Sequence, residues 1–295
     1  MTGPTLVLVA VPMRLGSISG GRFDLAPQAI RGALDRFVAH GPKEPDRLME
    51  LGVAIEDPGP MDEVASMTPA DAFDRIRRSI AVGTDDMGRV QADRAVVVLG
   101  GDNSITRPGV HAMTPDAAFD RVGLLTLDAH HDLRPLEGGL TNGNPVRALL
   151  EDGLPGWNVV QVGINPMANS PTLTAAAEQA RIEVITATEA REQGVPRVVA
   201  DALERLARRV DSIYVDLDID VLDRAFAPAC PGARPGGLMP AEVQAAAELC
   251  GRHPKVRAID VVEVDPERDV GGVTVLAAAS FVLAFASGLA SRSEG

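Results

Sequence analysis

A three-layer α/β/α domain with a mainly parallel sheet is the fold this sequence predicts, on three observations. Short, wholly apolar runs such as Ala95 to Leu99 and Val122 to Leu127 have the length of strands buried on both faces. They alternate with helical patterns along the chain, which calls for right-handed crossovers and helices on both sides of a sheet. No internal repeat, low-complexity tract or long Pro/Ser linker interrupts the 295 residues, so they read as a single domain, 1–295.

In order, Thr5 to Val11 reads as the first strand, and Gly16, Gly20 and Gly21 mark a loop before a helix over 26–37 that carries Pro27 in its first turn. Leu48 to Ile55 reads as a short strand closed by Pro-Gly-Pro. Residues 69–91 read as a long helix with Ala72, Phe73, Ile76, Ile80 and Ala81 on one face. The strand Ala95 to Leu99 ends in Gly100-Gly101-Asp102-Asn103-Ser104, and Val122 to Leu127 ends in Asp-Ala-His-His-Asp. Pro145 suits the first turn of a helix running to Glu151. Val159 to Val162 is a strand, Ser170-Pro171 opens a helix to Arg181, and Ile182 to Ile185 is a further strand. A helix over 196–210, a strand Ser212 to Val221, a helix over 240–250, a strand Val256 to Val264 and a helix over 273–290 complete the chain.

Composition narrows the class of function. With 28 Lys plus Arg against 41 Asp plus Glu, the net charge is -13, a surface that repels phosphate backbones and excludes nucleic acid as a partner. Cys230 and Cys250 are the only cysteines and form no Cys-x-x-Cys, which suits a reducing cytoplasm. No basic region followed by a continuous apolar core opens the chain, so no signal peptide is expected. Val273 to Ala290 is uncharged, but its alanines, Thr274, Ser280, Ser287 and Gly288 suit a buried helix better than a membrane span.

The chemistry concentrates at strand ends. Asp128, His130 and Asp132 follow a buried strand at a spacing of two, so they point the same way if the chain stays extended. Asp216, Asp218 and Asp220 alternate with Val215, Leu217, Ile219 and Val221, which places three carboxylates on one strand face. In a sheet covered on both sides such carboxylates repel and lose solvation unless a cation sits among them. Oxygen-rich ligation with one imidazole favours Mn²⁺, with Zn²⁺, Co²⁺ or Ni²⁺ as substitutes. Four or more carboxylates are too many for one such ion, so two metals about 3.5–4 Å apart are the economical arrangement.

Three motifs in order resemble the ureohydrolase superfamily of arginases, agmatinases and formimidoylglutamases. They are Gly-Gly-Asp-Asn-Ser at 100–104, Asp-Ala-His-His-Asp at 128–132 and Asp-Ile-Asp-Val-Leu-Asp-Arg-Ala-Phe-Ala-Pro at 218–228; Val-Glu-Val-Asp-Pro at 262–266 is a fourth. The resemblance covers nearly the whole chain and implies an arginase-like fold. It also implies metal ligands Asp128, His130, Asp132, Asp218 and Asp220, with Glu263 holding a substrate nitrogen and Asp132 orienting the attacking hydroxide. Asp216 falls where relatives carry a small residue, and His131 points away from its neighbour His130 along an extended segment.

Two positions depart from the family. Asn103 stands where most members have a metal-binding histidine, and a neutral amide weakens that one of the two sites. Asn142 stands near the loop histidine of arginases, which argues against arginase. The continuations Asp132-Leu133-Arg134 and Asn142-Gly143-Asn144-Pro145-Val146-Arg147 are similar to formimidoylglutamases. Guanidinium forks at Arg134 and Arg147 suit the two carboxylates of formimidoylglutamate, the alternative being a structural role in pairs with acids of the site wall. The resemblance therefore implies hydrolysis of N-formimidoyl-L-glutamate to L-glutamate and formamide in histidine catabolism, with two Mn²⁺ per chain and a trimer or hexamer. The alternatives are an agmatinase or other guanidino hydrolase that releases urea, and a non-catalytic metal-binding relative.

Overall fold

The computed structural model describes residues 4–37, 54–56, 70, 71, 74, 94–114 and 117–294. Eight strands join in one sheet: β1 (Thr5–Val11), β2 (Ala54–Glu56), β3 (Arg94–Gly100), β4 (Val122–Leu127), β5 (Val159–Ile164), β6 (Glu183–Thr186), β7 (Ser212–Asp218) and β8 (Val256–Val262). Their order is β2-β1-β3-β8-β7-β4-β5-β6, and every pair is parallel. Most of the strand expected over 48–55, and most of the helix expected over 69–91, lie outside the described residues.

Alternation along the strands builds two cores. Leu6, Leu8, Ala95, Val97 and Leu99 pack on one side, and Val7, Val9, Val11, Val96 and Val98 on the other. The first side is covered by α1 (Ala26–Leu34) and by the helices that follow β6, while α2 (Thr106–Ala112), α3 (Pro145–Asp152) and α4 (Pro171–Ala180) cover the second. Both faces are apolar because both are covered, which is why these strands read as continuous hydrophobic runs.

The remaining helices are α5 (Ala187–Gln193), α6 (Val195–Ala207), α7 (Pro240–Arg252) and α8 (Val273–Ala290). Helix α8 is long and apolar enough to cross a membrane by length and composition, but in this fold it packs into the core, with Phe281, Phe285 and Leu289 fully buried. Small residues let it approach α7 closely: a Cβ at Gly251 would strike the Phe285 carbonyl, and one at Gly288 the Glu248 carbonyl.

Several boundaries differ from the sequence expectation. The first helix stops at Leu34 rather than 37, and β5 continues to Ile164. Helix α5 was not anticipated, although Thr186 and Glu189 form a reciprocal capping box at its start. Strand β7 ends at Asp218, and a 3-10 turn over Ile219–Val221 replaces the last part of the expected strand. Strand β8 likewise stops at Val262, and Glu263 takes a left-handed backbone with φ of 65°.

This topology fixes where a ligand can sit. After β3 the chain passes over two strand positions to form β4, and β8 and β7 later fill the gap. The carboxyl ends of β3, β8, β7 and β4 therefore lie side by side at the reversal of strand order, where open parallel sheets bind their ligands.

Candidate metal centre

Each of the four central strands delivers polar residues to this crevice as it ends. After β4 the chain turns instead of staying extended, so the period-two spacing does not by itself point Asp128, His130 and Asp132 the same way. The Asp128 carboxylate accepts the His130 amide at 2.6 Å in a tight turn, and Asp132 adopts φ of 53°. The turn separates the two histidines. His130 Nδ1 lies 2.8 Å from Asp220 Oδ2, whereas His131 is buried against Gln161, 2.7 Å from its Oε1, as part of the framework.

The 3-10 turn after β7 does the corresponding work on the other side. Asp218 Oδ1 accepts the Asp220 amide at 2.8 Å, and Asp220 Oδ1 accepts the Ala129 amide at 3.0 Å. Asp220 is thus swung off the strand onto the Asp-Ala-His-His-Asp turn. The three carboxylates do not share one strand face: Asp216 stays within the sheet, in register with Asp260 and Thr126.

Two donor groups result, with Asp220 common to both. Asp128, His130 and Asp220 offer ligand atoms within 4.8 Å of one another, as do Asp218, Asp220 and Cys230. Asp132 Oδ2 lies beside them and accepts Asn103 Nδ2 at 2.5 Å. The Asn103 oxygen accepts the Thr106 hydroxyl at 2.7 Å, so the amide turns its nitrogen to the Asp132 carboxylate. Glu263 closes the site: its Oε1 accepts the Asn103 amide N–H at 2.8 Å and Asn142 Nδ2 at 3.0 Å, and its Oε2 makes no hydrogen bond among the described residues. Asn142 in turn accepts the Ile18 amide at 3.1 Å and donates its own amide to Gly16, which ties the glycine loop to the crevice.

The arrangement fits a divalent metal pair by its own electrostatics. Asp128 Oδ2 is buried without a hydrogen-bond partner, and a Cβ at Gly232 would strike Asp220 Oδ2, so the opposing loop approaches as closely as glycine permits. Burial, then the Asp220 charge, pushes Asp128 up to about 7. Burial, then Asp102, pushes Glu263 up to about 8. Asp132 and Asp218 are raised by burial and by neighbouring carboxylates. The Asp220 charge pushes His130 up to about 11. A buried anionic cluster whose only facing cation among the described residues is an imidazole calls for more positive charge than those residues supply.

A pH dependence follows. Asp128, Glu263 and His130 hold protons more tightly folded than unfolded, so their stabilising contribution is complete at low pH and is lost as pH rises through about 7, about 8 and about 11 respectively. Asp220 runs the other way: burial would raise it, but His130 holds it low, so its contribution is lost in acid. Chelator-treated protein is expected to melt at progressively lower temperature from about pH 5 to about pH 9, and metal loading is expected to remove that slope. Parallel slopes with and without metal would contradict this electrostatic account.

Arg134 and Arg147 border the same turn. The Arg147 amide donates to the Asp132 carbonyl at 3.1 Å and the Arg134 amide to the Gly143 carbonyl at 3.1 Å. Neither side chain pairs with a carboxylate among the described residues; Arg147 Nη2 donates to the Leu133 carbonyl at 3.3 Å, and its Nε is buried without a partner. Sequence reasoning missed Asp260, Tyr214, Thr106 and Cys230 as companions of the site. Asp260 was the detectable one, a single carboxylate inside the apolar run Val256 to Val262.

The fold and the carboxylate-histidine cluster together define a metal-dependent hydrolase of the ureohydrolase type. The chain belongs to the Arginase family, whose profile matches residues 4–287. It is 35% identical to a formimidoylglutamase of Halalkalibacterium halodurans over 98% of this chain and 88% of that protein. The crystal structure of formimidoylglutamase from Bacillus subtilis superposes with a TM-score of 0.83 at 29% identity, covering 98% of this chain and 88% of that one. A Trypanosoma cruzi formiminoglutamase with Mn²⁺ shares the fold at 22% identity, with a TM-score of 0.82 over 98% of this chain and 94% of that one.

Proposed function

We propose that this protein hydrolyses N-formimidoyl-L-glutamate to L-glutamate and formamide with two Mn²⁺ ions held by Asp128, His130, Asp132, Asp218 and Asp220. The observation that carries the substrate is the pair Arg134 and Arg147, which have no carboxylate partner among the described residues and stand beside the turn that carries Asp132. Guanidinium groups without a carboxylate partner among the described residues, on residues that border the turn carrying Asp132, suit a substrate that brings its own carboxylates. Similarity to formimidoylglutamases over nearly the whole chain supports the same reading.

When bound, the metals supply hydroxide near neutral pH and neutralise charge that develops at the attacked carbon. The chain does the positioning. Asp132 orients the attacking oxygen, and Glu263, held through Oε1 by Asn103 and Asn142, turns Oε2 to a substrate nitrogen. Asn142 therefore serves the substrate by fixing Glu263. The bond from the formimino carbon to the glutamate nitrogen breaks, the oxygen of water stays on formamide, and the glutamate nitrogen leaves protonated. A cytoplasmic location and a homo-oligomer, trimeric or hexameric, belong to this reading.

The test is a substrate panel on Mn²⁺-loaded protein. Formamide release from formimidoylglutamate is expected, and Arg147→Met is expected to raise KM for it by at least about tenfold with a smaller change in kcat, since the lost contact binds a part of the substrate remote from the chemistry. Urea from agmatine or another guanidino compound, with no formamide, would overturn the assignment.

A further inference from the structure

A single hydroxyl stands between two acceptors directly behind the centre. Thr106, the first residue of α2, is fully buried, and its Oγ1 lies 2.7 Å from Asn103 Oδ1 and 2.9 Å from Asp260 Oδ2. A threonine hydroxyl carries one proton and serves one acceptor at a time. Asp260 does not depend on it, because the Tyr214 hydroxyl donates to the same carboxylate at 2.9 Å and the Leu217 amide at 3.1 Å. Tyr214 is itself fixed by Gly109, where a Cβ would strike the phenol.

On its other side Asn103 points its Nδ2 at Asp132 Oδ2. That orientation suits a bare carboxylate. Once a divalent cation sits on Asp132, an NH₂ group aimed at it is repelled and an amide oxygen is attracted. Rotation of the terminal amide by half a turn exchanges nitrogen for oxygen with almost no change of shape. The NH₂ then faces Thr106, which must become an acceptor and send its proton to Asp260.

We propose that Thr106 is a positioning residue that lets the Asn103 amide serve the centre in two orientations, with nitrogen on Asp132 in the metal-free protein and oxygen toward the cation in the loaded one. The inference rests on the two-metal reading above. The Thr106 hydroxyl turns from Asn103 to Asp260 between the two states, and the buried carboxylate is what makes that turn available. Asn103 thereby becomes a usable ligand in a position where a fixed amide nitrogen would exclude the cation.

The experiment is a double-mutant cycle read by calorimetric titration of Mn²⁺ into metal-free protein. Wild type is expected to bind two ions. Thr106→Val keeps the shape but gives the rotated NH₂ no acceptor, and a buried NH₂ without a partner is tolerated less well than a buried carbonyl. It is expected to weaken the second ion by about tenfold and leave the first unchanged. Thr106→Ser is expected to bind as wild type. In an Asn103→Ala background, Thr106→Val is expected to have no further effect, because Thr106 acts through Asn103. Thr106→Ala takes the place of valine in the cycle if the valine variant does not fold. Unchanged second-ion affinity in Thr106→Val, weakened affinity in Thr106→Ser, or an equal loss in the Asn103→Ala background would overturn the proposal. Failure of wild type to bind two ions would instead overturn the metal reading itself.

Discussion

Asp220→Asn is expected to remove both metals and to lower kcat/KM by about three orders of magnitude or more. The reason is geometric. Asp220 belongs to the group with Asp128 and His130 and also to the group with Asp218 and Cys230, so one substitution weakens both. Asparagine can still accept the Ala129 amide through its oxygen, so the turn that carries His130 is kept. The variant should fold, retain less than one metal after desalting, and show little response of its melting temperature to Mn²⁺. Wild-type metal content with lost activity would mean that Asp220 acts on the substrate.

Glu263→Gln is the second large effect. Gln Oε1 can accept the same two hydrogen bonds, from the Asn103 amide and from Asn142 Nδ2, so the left-handed backbone at this position keeps its anchors. What disappears is the negative charge proposed to face the substrate nitrogen. A fall in kcat of about 10²–10³ is expected, with metal content unchanged. Because the carboxyl is buried and pushed up to about 8, removing it should also raise the melting temperature of the metal-free protein above that pH. A loss confined to KM, with kcat intact, would reassign Glu263 to substrate binding alone.

The strand ends were legible in the sequence because burial writes itself as uninterrupted apolar runs, and polar clusters that follow such runs stand out. Asp128, His130, Asp132, Asp218 and Asp220 stand out that way, and the structure brings them to one crevice. What the sequence concealed was backbone direction at those ends. Period-two spacing suggested that Asp216, Asp218 and Asp220 share a face, whereas the chain leaves the sheet at Asp218 and only a turn carries Asp220 to His130. The positive φ at Asp132 and Glu263 is equally invisible, since neither residue is glycine. Both are held by the hydrogen bonds around them, the kind of local strain that functional sites store.

The layer behind the centre was hidden for a different reason. Thr126, Asp216 and Asp260 are polar residues buried within largely apolar strands, and only the register of β4, β7 and β8 reveals that they meet. Asp216 is fully buried beside Asp260, and burial, then the Asp260 charge, holds it well above the usual carboxylate range. Asn103 shows the same limit: its amide type was readable, but the hydroxyl that turns its nitrogen to Asp132 comes from the next helical turn.

The most direct test of the account is metal content after Mn²⁺ loading and desalting, measured on the same sample that is assayed with formimidoylglutamate. Two metals per chain with formamide as product is the predicted result. Metal-free protein with full turnover, or protein that binds two metals and turns over neither formimidoylglutamate nor any guanidino compound, would contradict it.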